Sequence, residues 1–278
     1  MRNVVAGFAA LLLSGCAMLQ GPSVPTAPAE TATPADRSRA AALLREGLRA
    51  QTPPRGVPPD PDRAAALIEQ AAQLGDPDAQ MLVATGHLVG PDRDPSAAIP
   101  WLLRAAQQGN AEAQFRLARV IEGGEGTPRE PAWAAVWFQR AAERGVAEAQ
   151  FALALLQIAG IGTAQDQAEA LARLRLAEQR GVAAARRYRE ALEPRVPRAE
   201  ANAALGRVRG ETARGPVMTP DRPLVRFAQY VLTPGQVNGR DGAAIRAALL
   251  DFARREGIAT ANPYDTAVID RLRVRAPR

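Results

Sequence analysis

The sequence predicts an all-α fold: a right-handed superhelical solenoid of antiparallel helix pairs, followed by a small C-terminal helical domain. Three observations carry this. Four glycines, Gly75, Gly109, Gly145 and Gly181, recur at intervals of 34, 36 and 36 residues. Before them stand alanine-rich helix ends, at Ala71-Ala72, Ala105-Ala106, Ala141-Ala142 and, in decayed form, Ala177. After them come short links into a new helix, Asp78-Ala79-Gln80, Glu112-Ala113-Gln114, Glu148-Ala149-Gln150 and Ala184-Ala185-Arg186. Self-similarity at this period marks stacked helical hairpins, each burying its apolar face on its neighbour.

The first element is a leader. Met1-Arg2 gives a minimal positive start, and Val4 to Leu13 form an apolar core too short to span a bilayer. Leu13-Ser14-Gly15-Cys16 follows at once and resembles the bacterial lipobox. The resemblance implies a signal peptide over residues 1–15, removed before an acylated Cys16. With alanine at position 17, it also implies an outer-membrane lipoprotein facing the periplasm of a Gram-negative bacterium. Cys16 is the only cysteine in the chain, so no intrachain disulfide can form. Each buried acyl methylene contributes about 0.8 kcal/mol, so two or three chains hold a soluble domain firmly. Residues 16–35 are rich in Pro, Ala and Thr, bury no core and read as a tether with a reach of up to roughly 60 Å.

The array is expected over residues 37–192, beginning with a half repeat at Ala41 to Ala50. Small residues at the helix ends and at Ala79, Ala113 and Ala149 let backbones approach, while larger ones fill the gaps between pairs. Trp101 and Trp137 share a slot eight residues before their glycines, and Leu102 and Phe138 share the next. Each glycine falls where a helix stops and the chain reverses, a place that favours a residue without Cβ. Further glycines, Gly123-Gly124, Gly126, Gly160 and Gly162, mark the turns inside the pairs.

These positions together resemble the Sel-1-like repeat, a relative of the tetratricopeptide repeat. The fourth copy departs from it, with Arg173 in the tryptophan slot, and Ala84, Ala118 and Ala154 replace the glycine usual inside the first helix. Laid over the tetratricopeptide pattern, the first helices turn Asp78, Glu112 and Glu148 to the concave side in one row, and Met81, Phe115 and Phe151 in the next. Leu88, Leu155 and Ile158 fall further along. Two readings stand: a groove for an apolar peptide or amphipathic helix with basic edges, or a stripe that packs on the adjacent repeat as core.

Residues 193–222 carry Pro194, Pro197, Pro216 and Pro220 around a short helical stretch at Ala199 to Val208 and read as a linker. In residues 223–278, Leu224 to Leu232 and Ile245 to Ala253 are helical by period. A last helix is expected to end at Leu272, capped by Asp265. Val225, Gln229, Leu232, Asn238-Gly239, Gly242, Phe252, Gly257-Ile258 and Leu272 resemble the pattern of a three-helix peptidoglycan-binding domain. Ile245 stands in place of its threonine and Ala253 in place of its glutamine, and a plain helical cap on the solenoid stands beside the wall-binding domain as the alternative reading of these helices. Residues 1–193 hold 20 Arg and 21 acidic residues, whereas 194–278 hold 15 Arg and 8 acidic residues, so the net charge of +6 belongs to the C-terminal part. Export removes nucleic acid from reach and leaves envelope polyanions such as peptidoglycan as the partners of that charge.

Chemistry is sparse. The chain has one histidine, His87, in a slot shared with Ile121 and Gln157, and no lysine. Walker-type loops and Schiff bases need lysine, and zinc sites need His and Cys. No cofactor, metal or enzymatic activity is therefore expected. The carboxylate pairs Asp60/Asp62 and Asp92/Asp94 lie beside prolines and read as helix caps. The resemblances together imply a lipid-anchored envelope adaptor that holds a protein partner, or a cell-wall tether acting through the basic C-terminal part. If Cys16 carries the anchor, Cys16→Ser moves the protein from the detergent phase to the aqueous phase on partitioning; unchanged partitioning refutes it.

Overall fold

The computed structural model describes residues 33–277, and within them the chain forms thirteen α-helices and two short 3-10 turns. Cys16, the leader and nearly all of the tether lie outside the described residues. Four helix pairs follow one another: α1 (Pro34–Gln51) with α2 (Pro61–Gln73), α3 (Pro77–Val89) with α4 (Pro95–Gln107), α5 (Ala111–Gly123) with α6 (Pro131–Glu143), and α7 (Ala147–Ala159) with α8 (Gln167–Gln179). Each helix packs on the one before and the one after it, so the array is a helical solenoid. The expected half repeat is a complete pair. Its long first helix and the Pro-rich turn at 53–59 disguise the period, and α1 starts at Pro34, inside the stretch read as tether.

Helix starts follow from local chemistry. Asp60, Asp76 and Asp94 accept backbone N–H bonds at the first turns of α2, α3 and α4, each followed by a proline whose fixed φ suits the first helical position. This assigns Asp60 and Asp94 to capping. Helix ends follow from the glycines: Gly75, Gly109, Gly145 and Gly181 have φ of 94°, 93°, 91° and 98°. The amide after each glycine donates five residues back, Asp76 to Ala71, Asn110 to Ala105, Val146 to Ala141 and Val182 to Ala177. This double-bonded reversal satisfies carbonyls that would otherwise be orphaned.

A second repeated device joins neighbouring pairs. Gln80, Gln114 and Gln150 are buried, and their Nε2 atoms donate to the carbonyls of Ala72, Ala106 and Ala142 at 3.1, 2.8 and 2.9 Å. Each glutamine thus ties a first helix to the end of the second helix before it.

Beyond the array, α9 (Ala184–Leu192) packs on α8, and α10 (Arg198–Gly210) packs on α8 as well. The stretch expected as a linker therefore holds a three-turn helix seated on the array. Residues 211–221 run back across the ends of α6 and α4, where Ala213 N donates to Glu143 O at 3.1 Å and Val217 N to Gln107 O at 2.7 Å. α11 (Arg222–Leu232) then lies on α6, with α12 (Ala243–Arg255) and α13 (Thr266–Arg275) packed on α11. The C-terminal helices are not set apart from the repeats: Leu224, Phe227, Leu249, Phe252, Val268 and Leu272 belong to the same core as Leu102, Leu117, Phe138 and Leu153. Gln229 organises the turn after α11, accepting from the amides of Asn238 and Gly239 and donating to Asn238 Oδ1 and Arg240 O.

The returning segment makes one repeat glycine unlike the others. A Cβ on Gly109 would lie 2.1 Å from the carbonyl oxygen of Gly215, whereas a Cβ on Gly181 meets nothing within 4 Å. Both positions have positive φ, so Gly181→Ala is expected to cost about 1 kcal/mol. Gly109→Ala adds the collision and is expected to cost about 2–4 kcal/mol. Chemical denaturation of the two variants measures this, and equal losses would show that the segment does not press on the turn.

Candidate functional site

The array offers two faces, one built by first helices and one by second helices. On the first-helix face, Met81 on α3, Phe115 on α5 and Phe151 on α7 repeat in register and are half-buried. Their rings are not free of the core. Phe115 stands 6.0 Å from Phe138, which is fully buried, and Phe151 meets Tyr188 of α9 edge-on at 5.6 Å. Leu88, Leu155 and Ile158 are also half-buried. The acidic row lies beside them: Asp78 and Glu148 are exposed, while Glu112 pairs with Arg116 one turn on at 2.7 Å. Asp78 accepts from Asn110 Nδ2 at 2.7 Å, linking adjacent repeats along this row. Each of these side chains therefore has one side in the array and one side toward solvent.

The second-helix face is mostly taken by the chain itself. Every residue from Pro131 to Ala142 of α6 is buried, because α11 covers the side turned away from α5. Trp133 meets Phe227 edge-on at 5.6 Å and Trp137 at 6.1 Å. Arg140 lies 4.4 Å over Trp137 and grips Asp221, the residue capping α11, through two bonds of 2.7 and 2.9 Å. Arg273 of α13 lies 4.7 Å over Trp133 and binds Glu130 through two bonds of 2.9 Å. Glu130 occupies the N-cap position of α6 yet makes no side-chain cap bond; its carboxylate serves the C-terminal helix instead.

The deepest part of the seam lies on α8. Arg173 is fully buried, donating to Glu169 Oε1 at 2.6 Å, Glu211 Oε2 at 2.8 Å and Gln150 Oε1 at 3.0 Å. Arg226 of α11 binds both oxygens of Glu169, at 2.9 and 3.1 Å. Burial pushes the Glu169 carboxyl up, but Arg173 and Arg226 outweigh it and hold it well below the usual carboxylate range. Burial likewise opposes the charge on Arg173, and Glu169 and Glu211 restore it. Where residues 211–221 cross α6, burial together with the nearby Glu211 and Asp221 carboxylates pushes Glu143 up to about 7.

The sequence pattern had placed Arg173 as an eroded tryptophan at the end of the array; the structure gives it a specific task. Sequence reasoning also missed the glutamines. Their signal was present, since Gln80, Gln114 and Gln150 recur at the array's own spacing and the fourth copy has Arg186. Among the described residues no His, Cys, Asp or Glu group is arranged to hold a metal, and no helix is long and apolar enough to cross a membrane. His87 is half-buried in α3.

A stack of helix pairs with small residues at the contacts defines a helical-repeat protein. The chain belongs to the Sel1 repeat family, whose model matches residues 39–76, 77–110, 111–146 and 147–182. Sel1 repeat proteins generally mediate protein–protein interaction and are typically non-catalytic scaffolds. Two solved structures show the same fold. One is c5321, a protective antigen present in uropathogenic Escherichia coli strains, with a TM-score of 0.52 and 22% identity over 67% of this chain. The present chain spans only 44% of that protein. The other is a Sel1 repeat protein from Oxalobacter formigenes, with a TM-score of 0.50 and 21% identity over 81% of this chain and 91% of that one. No curated protein matches the chain.

Restoring the family's tryptophan at the fourth slot would remove the fully buried cation that Glu169 and Glu211 share, leaving Glu169 with Arg226 and Glu211 with Arg222. Breaking a buried ion pair from one side costs about 3–5 kcal/mol. Arg173→Trp is therefore expected to destabilise the protein by about that amount in urea denaturation. Wild-type or greater stability would mean the network contributes nothing.

Proposed function

We propose that this protein is a lipid-anchored scaffold of the bacterial envelope, facing the periplasm from the outer membrane and holding a protein partner on the concave, first-helix face of its array. The observation that carries this reading is the contrast between the two faces. The second helices of the third and fourth pairs are sealed by the chain's own C-terminal helices, while Met81, Phe115, Phe151, Leu155 and Ile158 keep a solvent side next to Glu112 and Glu148. An apolar stripe beside a row of carboxylates suits an amphipathic helix or extended peptide with basic residues at its edge. The role is binding without catalysis. A chain without lysine, with one histidine, offers little to nucleophilic or general-base chemistry.

A cell-wall tether is the second reading, favoured by the turn that Gln229 holds in the spacing of the peptidoglycan-binding pattern. Its electrostatic support is reduced. Arg226 and Arg273 turn inward to Glu169 and Glu130, and Arg254 and Arg255 share Asp251. Arg195, Arg198, Arg207, Arg209, Arg214 and Arg240 are the exposed arginines of this part that form no ion pair among the described residues.

A photo-crosslinking residue at Glu148 separates the readings. In cells it is expected to yield a discrete protein adduct, lost in the Glu112→Arg background, while the same residue at Arg254 yields none. An adduct at Arg254 alone, or sedimentation of the full chain with purified sacculi and no adduct at Glu148, supports the tether instead.

A further inference from the structure

We infer that the outer face of α4 is a second docking site, for an amphipathic helix of a protein partner that opens with an aspartate. The inference starts from the repeat itself. Trp101 and Arg104 on α4 lie 36 residues before Trp137 and Arg140 on α6 and occupy the same positions in their helix. In both, the guanidinium sits over the indole, at 5.2 Å for Arg104 and 4.4 Å for Arg140. On α6 this pair is the receptor for α11: Asp221, at the N-cap, takes both guanidinium bonds, and the helix that follows covers the two tryptophans.

On α4 the same receptor stands open. Arg104 is exposed and pairs with no carboxylate among the described residues, whereas the Arg140 side chain is only 4% exposed. Ser96 and Pro100, on the side of α4 that continues from Arg104, are exposed, and Trp101 is half-buried. Ala97 and Pro100 replace the larger Trp133 and Val136, so the seat is shallower in side chains than the one on α6 and leaves room for a bulky residue on the incoming helix. The surface is continuous with the established seam. Val217 is anchored to the Gln107 carbonyl at the end of α4, and the next residue, Met218, is 74% exposed. The preceding pair lacks the device, with Leu67 and Gln70 at these positions, and the following pair uses Arg173 and Leu176 beneath α10 and α11. One open Trp–Arg receptor therefore remains, next to one whose occupant is known.

The chemistry of that occupant names the partner. A cation over a half-buried indole, without a carboxylate partner and beside Ala97 and Pro100, is complemented by a carboxylate at a helix N-cap, followed over the next two turns by aliphatic and aromatic residues. Asp221, Leu224 and Phe227 present this pattern on α6.

The test uses the chain's own ligand as probe: a labelled synthetic peptide of residues 219–233, added in trans to the full chain and followed by fluorescence anisotropy. Saturable binding is expected, weakened about tenfold or more by Arg104→Glu, the loss of one charge-assisted pair. A peptide carrying Asp221→Arg is expected to bind the Arg104→Glu protein better than the wild type. Because Arg104 is exposed, the melting temperature serves as the control and stays unchanged. Absence of binding at millimolar peptide overturns the inference. So does binding indifferent to Arg104→Glu, which would mean that the peptide displaces α11 from α6.

Discussion

The cluster of Glu169, Arg173, Glu211 and Arg226 is the constraint on which the rest of the arrangement depends. Glu169, Arg173, Glu211 and Arg226, from three separate stretches, meet almost wholly buried, with Arg222 reaching Glu211 from the rim, so the burial of each depends on its partners. Two of them come from the array and two from the segment after it. The cluster thus fixes where residues 211–226 must lie, and with them the position of α11 on α6. The tryptophan slot on α6 is covered by that helix, and the same slot on α8 supplies the cation that holds it. The family's bulky apolar position has been divided into a surface to be covered and an anchor for the cover.

Such an arrangement resolves a problem common to repeat arrays. Each helix pair has two broad faces, and a terminal pair leaves one without a neighbour. Here the closing device is not a polar terminal repeat. α9 continues the stack for part of a repeat, and α10 then turns back along the second-helix face. The returning chain uses backbone bonds at the helix ends, Ala213 to Glu143 and Val217 to Gln107, and ion pairs between them. Arginine suits both tasks at the seam, because its planar fork binds a carboxylate through two bonds while its flat face rests on an indole. Arg140 and Arg273 each do both.

The helix pairs and their turns were legible because local rules repeat. Glycine at positive φ, aspartate before proline and paired alanines each have one structural meaning, and four copies averaged away the exceptions. The spans of α11 to α13 were readable for the same reason, from period and from Asp265. What could not be read was how distant stretches meet. Phe115 and Phe151 register as a stripe, but whether a ring faces a groove or a core depends on Phe138 and Tyr188, supplied by neighbouring helices. The basic balance of residues 194–278 suggested an outward surface, whereas the partners of Arg226 and Arg273 are carboxylates roughly sixty to a hundred and forty residues away in the chain. Charge complementarity between distant segments leaves no periodic trace in either one. Arg173 was the visible clue: a cation in an apolar slot needs a buried anion, and Glu211 was there to be sought.

Glu130 and Arg273 are joined across 143 residues of chain, and this contact changes how the molecule can be made. An ordinary stack assembles pair by pair, each unit adding to the last. Here the third pair remains unfinished until α11 and then the final helix have emerged, since α11 brings Phe227 onto Trp133 and α13 brings Arg273 over the same indole. Long-range closure slows folding relative to a stack of local contacts. A chain synthesised from its N-terminal end exposes the Trp133 indole during the interval before the C-terminal helices arrive. Loss of even the last ten residues would strand Glu130 and lift the Arg273 guanidinium off Trp133 in the middle of the array, far in sequence from the cut.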